Sequence, residues 1–339
     1  MTFADFKNWR EESLCAKPSL LDCGETNLYR ALSTLQPKPL KQAGQIHRCD
    51  LAKKWLRRYG LPESDSRRAH VCRGVRHALR IILKEAASGN AILYAPKDVY
   101  PAYLEIAHSA GAEVRTYSTM PHPVLPTAKE DARSEFLLIC NPWKPLGRFL
   151  TAEECGHLRR WITATNKRFI LIDAVYDFGV PFHPTTMNLA ETGRVIVLHS
   201  VTKGWLWPQT FGIAWAGGQS SHFNFGFRGD PPSQDQLALA DQLLTGEANL
   251  PARVAATIDA RKDKLLAVLP NAVAKLFVTA AARSSSGCYL FPVDLDASEL
   301  LNQHAILGIP ASVFGAQWSG TILTSLASVF AAGQKERHP

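Results

Sequence analysis

Between residues 70 and 217 the sequence alternates short apolar runs with stretches of helical periodicity, and no other feature limits the possible folds as much. VRHALRIILKEAA sets Val75, Leu79 and Ile82 on one face and Arg76, Arg80 and Lys84, at four-residue steps, on another, the pattern of an amphipathic helix. AILYAP reads as a strand, AYLEIAHSAGAEV as a helix and a strand, and FLLICNP as a buried strand. TAEECGHLRRWITATN is a helix opened by Thr151 with Glu154 three residues on, the spacing of a capping box. FILIDAVYD, VIVLHSVTK and FGIAWAG are further apolar strands. Strands alternating with helices in this way predict an α/β domain whose mostly parallel sheet is covered on both faces.

The rest of the chain is less regular. Residues 1–69 read as helical and irregular, and 1–44 of them as a lead-in packing on a small domain. After a Gly/Ser/Asp/Pro-rich break beyond 218 come long helices over 233–280, then GCYLFPVDL and ILGIPASVF as strands of a smaller C-terminal α+β piece. The expected organisation is a large domain over 45–235 and a small one over 236–339. A length of 339 residues suits this division, since one core stops growing at roughly 250–300. With 46% hydrophobic and 20% charged residues the chain can fill such cores, which excludes disorder, collagen and coiled coil.

No apolar run approaches the ~20 residues of a membrane helix, and the opening MTFADFKNWREES lacks a signal-peptide stretch, so the expectation is a cytoplasmic protein without a membrane partner. Seven cysteines, none in a CxxC pair, suit reduced thiols and indicate no metal site. The net charge of +8 is unevenly placed: residues 1–90 hold 17 Lys and Arg against 9 Asp and Glu, and the remainder holds 21 of each. The clusters Lys53, Lys54, Arg57, Arg58 and Arg67, Arg68 are short and lack a stacking aromatic series. A solvated helix face, not nucleic acid, is the expected reading.

Ligands of open α/β sheets bind outside the carboxyl ends of the strands. Asn141 ends FLLIC, Asp173 ends FILI, and Lys203 follows VIVLHSVT. A buried lysine near an acid is the arrangement for imine chemistry, because desolvation keeps the amine neutral enough to attack an aldehyde.

Five segments in order across residues 72–208 carry a resemblance. CRGVRHAL resembles a glycine loop before a helix, ILYAPKDVYPAY a PxYPxY stretch, NPWKPLG the motif NPxNPTG, DAVYDF the motif DExYxxF, and HSVTKGWLWP the lysine motif SxSKxxxxP. Together they are similar to the fold-type I pyridoxal phosphate enzymes, and more narrowly to the class I/II aminotransferases of the histidinol-phosphate aminotransferase and threonine-phosphate decarboxylase group. The resemblance implies pyridoxal 5'-phosphate as cofactor, a small-molecule amino substrate and a homodimer. It implies that Lys203 forms the Schiff base and shuttles a proton, and that Asp173 pairs with the pyridine nitrogen. It also implies that Tyr176 and Asn141 hydrogen-bond the phenolic oxygen and that Tyr100 stacks on the ring. The phosphate would rest on the amides of Gly74, Val75 and Arg76 with the hydroxyls of Ser200 and Thr202.

The sequence also departs from the family. Phe211 stands where an arginine usually clamps the phosphate, Leu146 replaces the threonine of NPxNPTG, and QPKPLKQAGQIHRCDLAKK lacks the tyrosine given to the neighbouring subunit. The carboxylate arginine of the C-terminal domain is missing too: GTILTSLAS occupies its place, and no arginine occurs from Ser284 to Glu336. Either the substrate lacks a free α-carboxylate in that orientation, or another group binds it, or the reaction has changed. Arg73 and Arg76, flanking Gly74, are candidates for anion binding. Trp143, Trp205 and Trp207 either line an aromatic pocket or pack in the core. Transamination is the implied activity; a decarboxylase, lyase, cyclase or oxidase, or a non-catalytic binding protein of the same fold, are its alternatives.

Overall fold

The computed structural model describes residues 1–37, 44–127, 133–208, 211–217, 227 and 230–326. Residues 38–43, most of the break after 218 and the end of GTILTSLAS lie outside the described residues. The strands are β1 (Leu21–Asp22), β2 (Ala69–Cys72), β3 (Ile92–Pro96), β4 (Glu113–Tyr117), β5 (Glu135–Cys140), β6 (Arg168–Asp173), β7 (Val195–Ser200), β8 (Gly212–Ala216), β9 (Leu290–Val293), β10 (Ile306–Leu307), β11 (Ile309–Pro310) and β12 (Thr321–Thr324).

The large sheet has the order β2-β8-β7-β6-β5-β3-β4. From β4 to β7 every pairing is parallel, as the alternating pattern predicts. β8 runs antiparallel to both β7 and β2, so β2 points the same way as β5, β6 and β7. Every residue of β5, β7 and β8 is buried, which explains their uninterrupted apolar sequences. The helices Val75–Ser88, Ala102–Ser109, Ala152–Thr163 and Pro184–Ala190 pack against the sheet. In the first of them Leu79 and Ile82 are buried with Ala78, Leu83 and Ala86, while Arg76, Arg80 and Lys84 are exposed. Thr151 and Glu154 form the expected capping box.

Two readings of the sequence need correction. AHVC, to which the sequence reading gives no element, is the edge strand β2; four residues are too few for a periodic signal. ILGIPASVF is not one strand. β10 pairs in parallel with β1, β11 pairs antiparallel with β12, and Ala311–Phe314 is a 3-10 helix. Gly308 separates the two pieces because a Cβ there would lie 2.4 Å from Thr321 Cγ2, and Pro310 has no N–H to extend a ladder. β9, β11 and β12 form a small sheet, around which Leu265, Phe291, Leu300, Ile306 and Leu323 gather in a second core cluster.

The β5–β6 pair also carries a buried ion pair. Arg168 Nε donates to Glu135 Oε2 at 2.6 Å, with side chains 1% and 2% exposed. Glu135 Oε1 accepts from Tyr94 Oη, and the Arg168 guanidinium also reaches the Trp161 carbonyl. Removing one partner leaves an uncompensated buried charge. Arg168→Met is therefore expected to cost about 3–5 kcal/mol in urea melts, and adding Glu135→Leu to recover most of that loss.

Candidate active site

A cavity of about 560 Å³ opens at the carboxyl edge of the large sheet. Its wall collects residues from the ends of four strands: Gly74 after β2, Cys140 ending β5, Asp173 ending β6 and Ser200 ending β7. The antiparallel β8 makes this meeting possible. By reversing direction twice, the sheet brings the end of β2 to the same edge as those of β5–β7.

Lys203 sits in the single helical turn Val201–Gly204 that follows β7. Burial pulls its pKa down, partly offset by the charge of Asp173. Its Nζ lies 4.8 Å from the ring centroid of Tyr29 and 5.7 Å from that of Tyr176. Asp173 is 7% exposed; its Oδ2 accepts from Tyr103 Oη at 2.6 Å and its Oδ1 from the Val175 amide at 3.0 Å. Burial raises its pKa, while those two donors and the lysine charges oppose the rise. Burial raises the phenols of Tyr29, Tyr103, Tyr176 and Tyr289 and the Cys140 thiol as well, so these groups stay protonated. The wall is thus rich in neutral donors, and Asp173 is its only acidic side chain among the described residues.

The Val75–Ser88 helix begins at Gly74, whose φ of +117° is open to glycine alone at little cost. No side chain caps the helix, and a Cβ on Gly74 would meet nothing within 4 Å. On the opposite side Gly212 lets the backbones touch, since a Cβ there would lie 2.7 Å from Gly74 Cα. The free amides of a helix start, with its positive dipole end, face the cavity beside Ser200 and Thr202, whose hydroxyls are 2.7 Å apart. That combination is an anion cradle.

Of the residues singled out in the sequence, Lys203, Asp173, Tyr176, Tyr100, Gly74, Val75, Arg76, Ser200 and Thr202 all line the cavity. Tyr100 is 44% exposed, at the mouth. Asn141 stands apart from them. It is fully buried and absent from the wall; its Nδ2 donates to the hydroxyls of Thr185 and Thr186, and its Oδ1 accepts from the Leu150 amide. These bonds tie it to the loops around it. Phe211 is 1% exposed in the core and supplies no clamp. Arg73 and Arg76 both reach the cavity, Arg73 ion-paired with Asp230. Trp143 and Trp205 are core residues, their indoles donating to Glu154 and to the Leu243 carbonyl, and Trp207 is partly buried against the core.

The residue missed from sequence is Lys144, whose Nζ donates to Tyr289 Oη at 2.7 Å and lies 3.8 Å from the Tyr176 ring centroid. The signal was present, because aligning NPWKPLG on NPxNPTG puts Lys144 at the second asparagine. Tyr103 likewise lies inside the YPAY match, whereas Tyr29 and Tyr289 have no local mark in the sequence.

The sequence profile of the family described as "Aminotransferase class I and II" matches residues 29–326. The probable aminotransferase TAT3 of Arabidopsis thaliana is 30% identical over 152 residues, which cover 41% of this chain and 33% of that protein. The probable aminotransferase TAT1 of the same plant is 29% identical over 147 residues, 40% of this chain and 32% of that protein. The matched stretch thus spans about a third of either curated relative. Among solved structures, the methionine aminotransferase YbdL of Escherichia coli superposes with a TM-score of 0.65 at 18% identity, covering 96% of this chain and 93% of that one. A double mutant of Thermus thermophilus aspartate aminotransferase gives a TM-score of 0.66 at 19% identity, covering 96% of this chain and 92% of that one. At such identities the likeness is one of fold.

Lys144 is held by a close backbone approach. Gly147 has a φ of +68°, and a Cβ there would lie 1.8 Å from the Leu290 carbonyl oxygen on β9. Gly147→Ala is expected to destabilise the protein by at least about 1–3 kcal/mol in chemical denaturation. Gly156→Ala, in the interior of the Ala152–Thr163 helix with only Arg160 Nη1 nearby at 3.5 Å, should stabilise it by about 0.5–1 kcal/mol.

Proposed function

Because the chain belongs to the aminotransferase class I and II family, we propose that it is a pyridoxal phosphate-dependent aminotransferase acting on an amino acid or related amine. The observation that carries this reading is the sharing of one cavity by Lys203, Asp173 and the uncapped helix start at Gly74. The residues fit the cofactor: the cradle suits its phosphate, the Asp173 carboxylate its ring nitrogen, and the Lys203 amine its aldehyde. Tyr176 would donate to the phenolic oxygen, and Tyr100 would pack on the ring; both line the cavity. The same reading makes the enzyme a cytoplasmic homodimer; its seven cysteines are free thiols.

When bound, the cofactor supplies an aldehyde that condenses with amines and a cationic ring that draws electrons from the bond being broken. The chain's own residues do the rest. Lys203 Nζ, with its pKa lowered by burial, is available as a neutral amine that takes the proton from the substrate α-carbon and returns it one position away. Asp173 is held by Tyr103 and Val175, so its carboxylate would hold a proton on the ring nitrogen of a bound cofactor. The Val75 and Arg76 amides and the Ser200 and Thr202 hydroxyls anchor the phosphate.

The expected result is that purified protein mixed with pyridoxal phosphate gains a visible absorption band, that Lys203→Ala does not, and that this variant loses at least about 100-fold in turnover. The sign of the pKa shift sets the pH dependence: a lysine pKa below its ordinary value keeps the neutral amine at lower pH than surface lysines. Borohydride trapping near neutral pH should therefore label Lys203 ahead of the surface lysines. An amino-donor panel should convert the holoprotein to its pyridoxamine form; release of carbon dioxide or ammonia without that form would favour a decarboxylase or lyase. Wild-type protein with no spectral change would overturn the enzyme reading.

A further inference from the structure

The proposed reaction has Lys203 carry a proton in a setting that burial makes unfavourable for an ammonium. The charge of Asp173 favours that ammonium through space, but among the described residues no hydrogen bond joins the two. In the functional reading above, the same carboxylate is assigned to the cofactor's ring nitrogen. Lys144, after β5, is a further basic group nearby, and Arg73 and Arg76 stand elsewhere on the wall. Two aromatic rings face Lys203 Nζ. The centroids of Tyr29 and Tyr176 lie 4.8 and 5.7 Å away, within the ~6 Å over which a ring face attracts a cation. Tyr176 has a task at the phenolic oxygen, whereas Tyr29, the nearer ring, has none.

Tyr29 also reaches the backbone that carries the lysine. Its Oη donates to the Thr202 carbonyl at 2.7 Å. In a longer helix that carbonyl would accept the Leu206 amide. Here Leu206 turns to a φ of +51°, and its amide goes to the Lys203 carbonyl at 3.2 Å. The single turn Val201–Gly204 is therefore closed by a side chain from far along the chain. Burial pushes the Tyr29 phenol up to about 12, so it remains a donor at any ordinary pH. Its own backbone is fixed as well: Asn27 caps the turn Leu28–Ala31, Arg261 Nη2 donates to the Ala31 carbonyl at 2.7 Å, and Gln36 Nε2 donates to the Tyr29 carbonyl at 3.2 Å. A ring held at both ends has little freedom to leave the lysine.

We propose that Tyr29 is a positioning residue for Lys203: its ring face holds the Nζ ammonium while the lysine carries a proton, and its hydroxyl fixes the turn from which the lysine projects. The proposal rests on the functional reading above, in which Lys203 takes a proton from the substrate α-carbon. A tyrosine that only fills space would act through its volume, and neither the charge of its ring face nor its hydroxyl would matter to the lysine.

The test varies the ring at nearly constant shape. Tyr29→Phe keeps the face and removes the hydroxyl; monofluorinated and trifluorinated phenylalanine at the same position then weaken the negative charge of the face stepwise, and Tyr29→Leu removes the face. Competitive acetylation with acetic anhydride across a pH series, read at Lys203 by mass spectrometry on cofactor-free protein, gives the lysine's protonation constant. That constant is expected to fall stepwise along the series, by about 2- to 30-fold between Tyr29→Phe and Tyr29→Leu. In holoprotein the rate of conversion to the pyridoxamine form by an amino donor should fall in the same order. Tyr29→Phe should slow imine formation with pyridoxal phosphate by about 2- to 12-fold relative to wild type, the range of one hydrogen bond. A protonation constant that is the same throughout overturns the hold of the ring. So does a loss in Tyr29→Leu with none along the fluorinated series, because that pattern marks packing alone. An unchanged rate of imine formation in Tyr29→Phe overturns the role of the hydroxyl. Should wild type take up no cofactor, the functional reading fails, while acetylation of cofactor-free protein still decides whether the Tyr29 ring holds Lys203.

Discussion

Parallel pairing of β5, β6 and β7 with both faces buried is the constraint from which the rest of the molecule follows. Parallel neighbours cannot be joined by tight turns, so each connection must cross over the sheet and every strand ends at the same edge. Inside the sheet a polar side chain would be stranded, and only paired exceptions such as Glu135 and Arg168 are found there. At the edge the burden falls away, and Asp173, Ser200 and Lys203 gather where backbone pairing stops and a cavity begins. The antiparallel β8 extends this edge by one more strand and adds a helix start to it.

The electrostatics of the cavity follow from the same geometry. A largely desolvated wall holds phenols and a thiol in their neutral forms, so charge is confined to a carboxylate and a few cations. Asp173 keeps its place through two donors that cost it no freedom, a backbone amide and a buried tyrosine. Lys203 disfavours the charge of Lys144, which makes Lys144 sensitive to what enters the cavity.

What could be read in the sequence is what local chemistry dictates. The strands β3 and β5–β8 and the helices Val75–Ser88, Ala102–Ser109 and Ala152–Thr163 were visible because burial on both faces leaves uninterrupted apolar runs and burial on one face leaves a helical stripe, whereas Pro184–Ala190 was not read. The site residues at strand ends were visible for the same reason. Asn141 lies off the cavity wall, bonded to Thr185, Thr186 and Leu150, a placement that no local pattern at a strand end foretells. Lys144 was overlooked although it stood inside a recognised motif. Tyr289 and Tyr29 come from distant parts of the chain, and their place beside the lysines depends on packing that no local pattern encodes.

Tyr29 has one more implication. Its hydroxyl donates to the Thr202 carbonyl beside Lys203, and the segment preceding it is held by partners made almost at the other end of the chain: Leu21 aligns with Ile306, and the Thr324 amide donates to the Cys23 carbonyl. During synthesis residues 21–23 therefore have nowhere to settle until the segment 306–324 has followed them. The large sheet can form while translation continues, but the wall beside Lys203 waits for partners made long after Tyr29 itself.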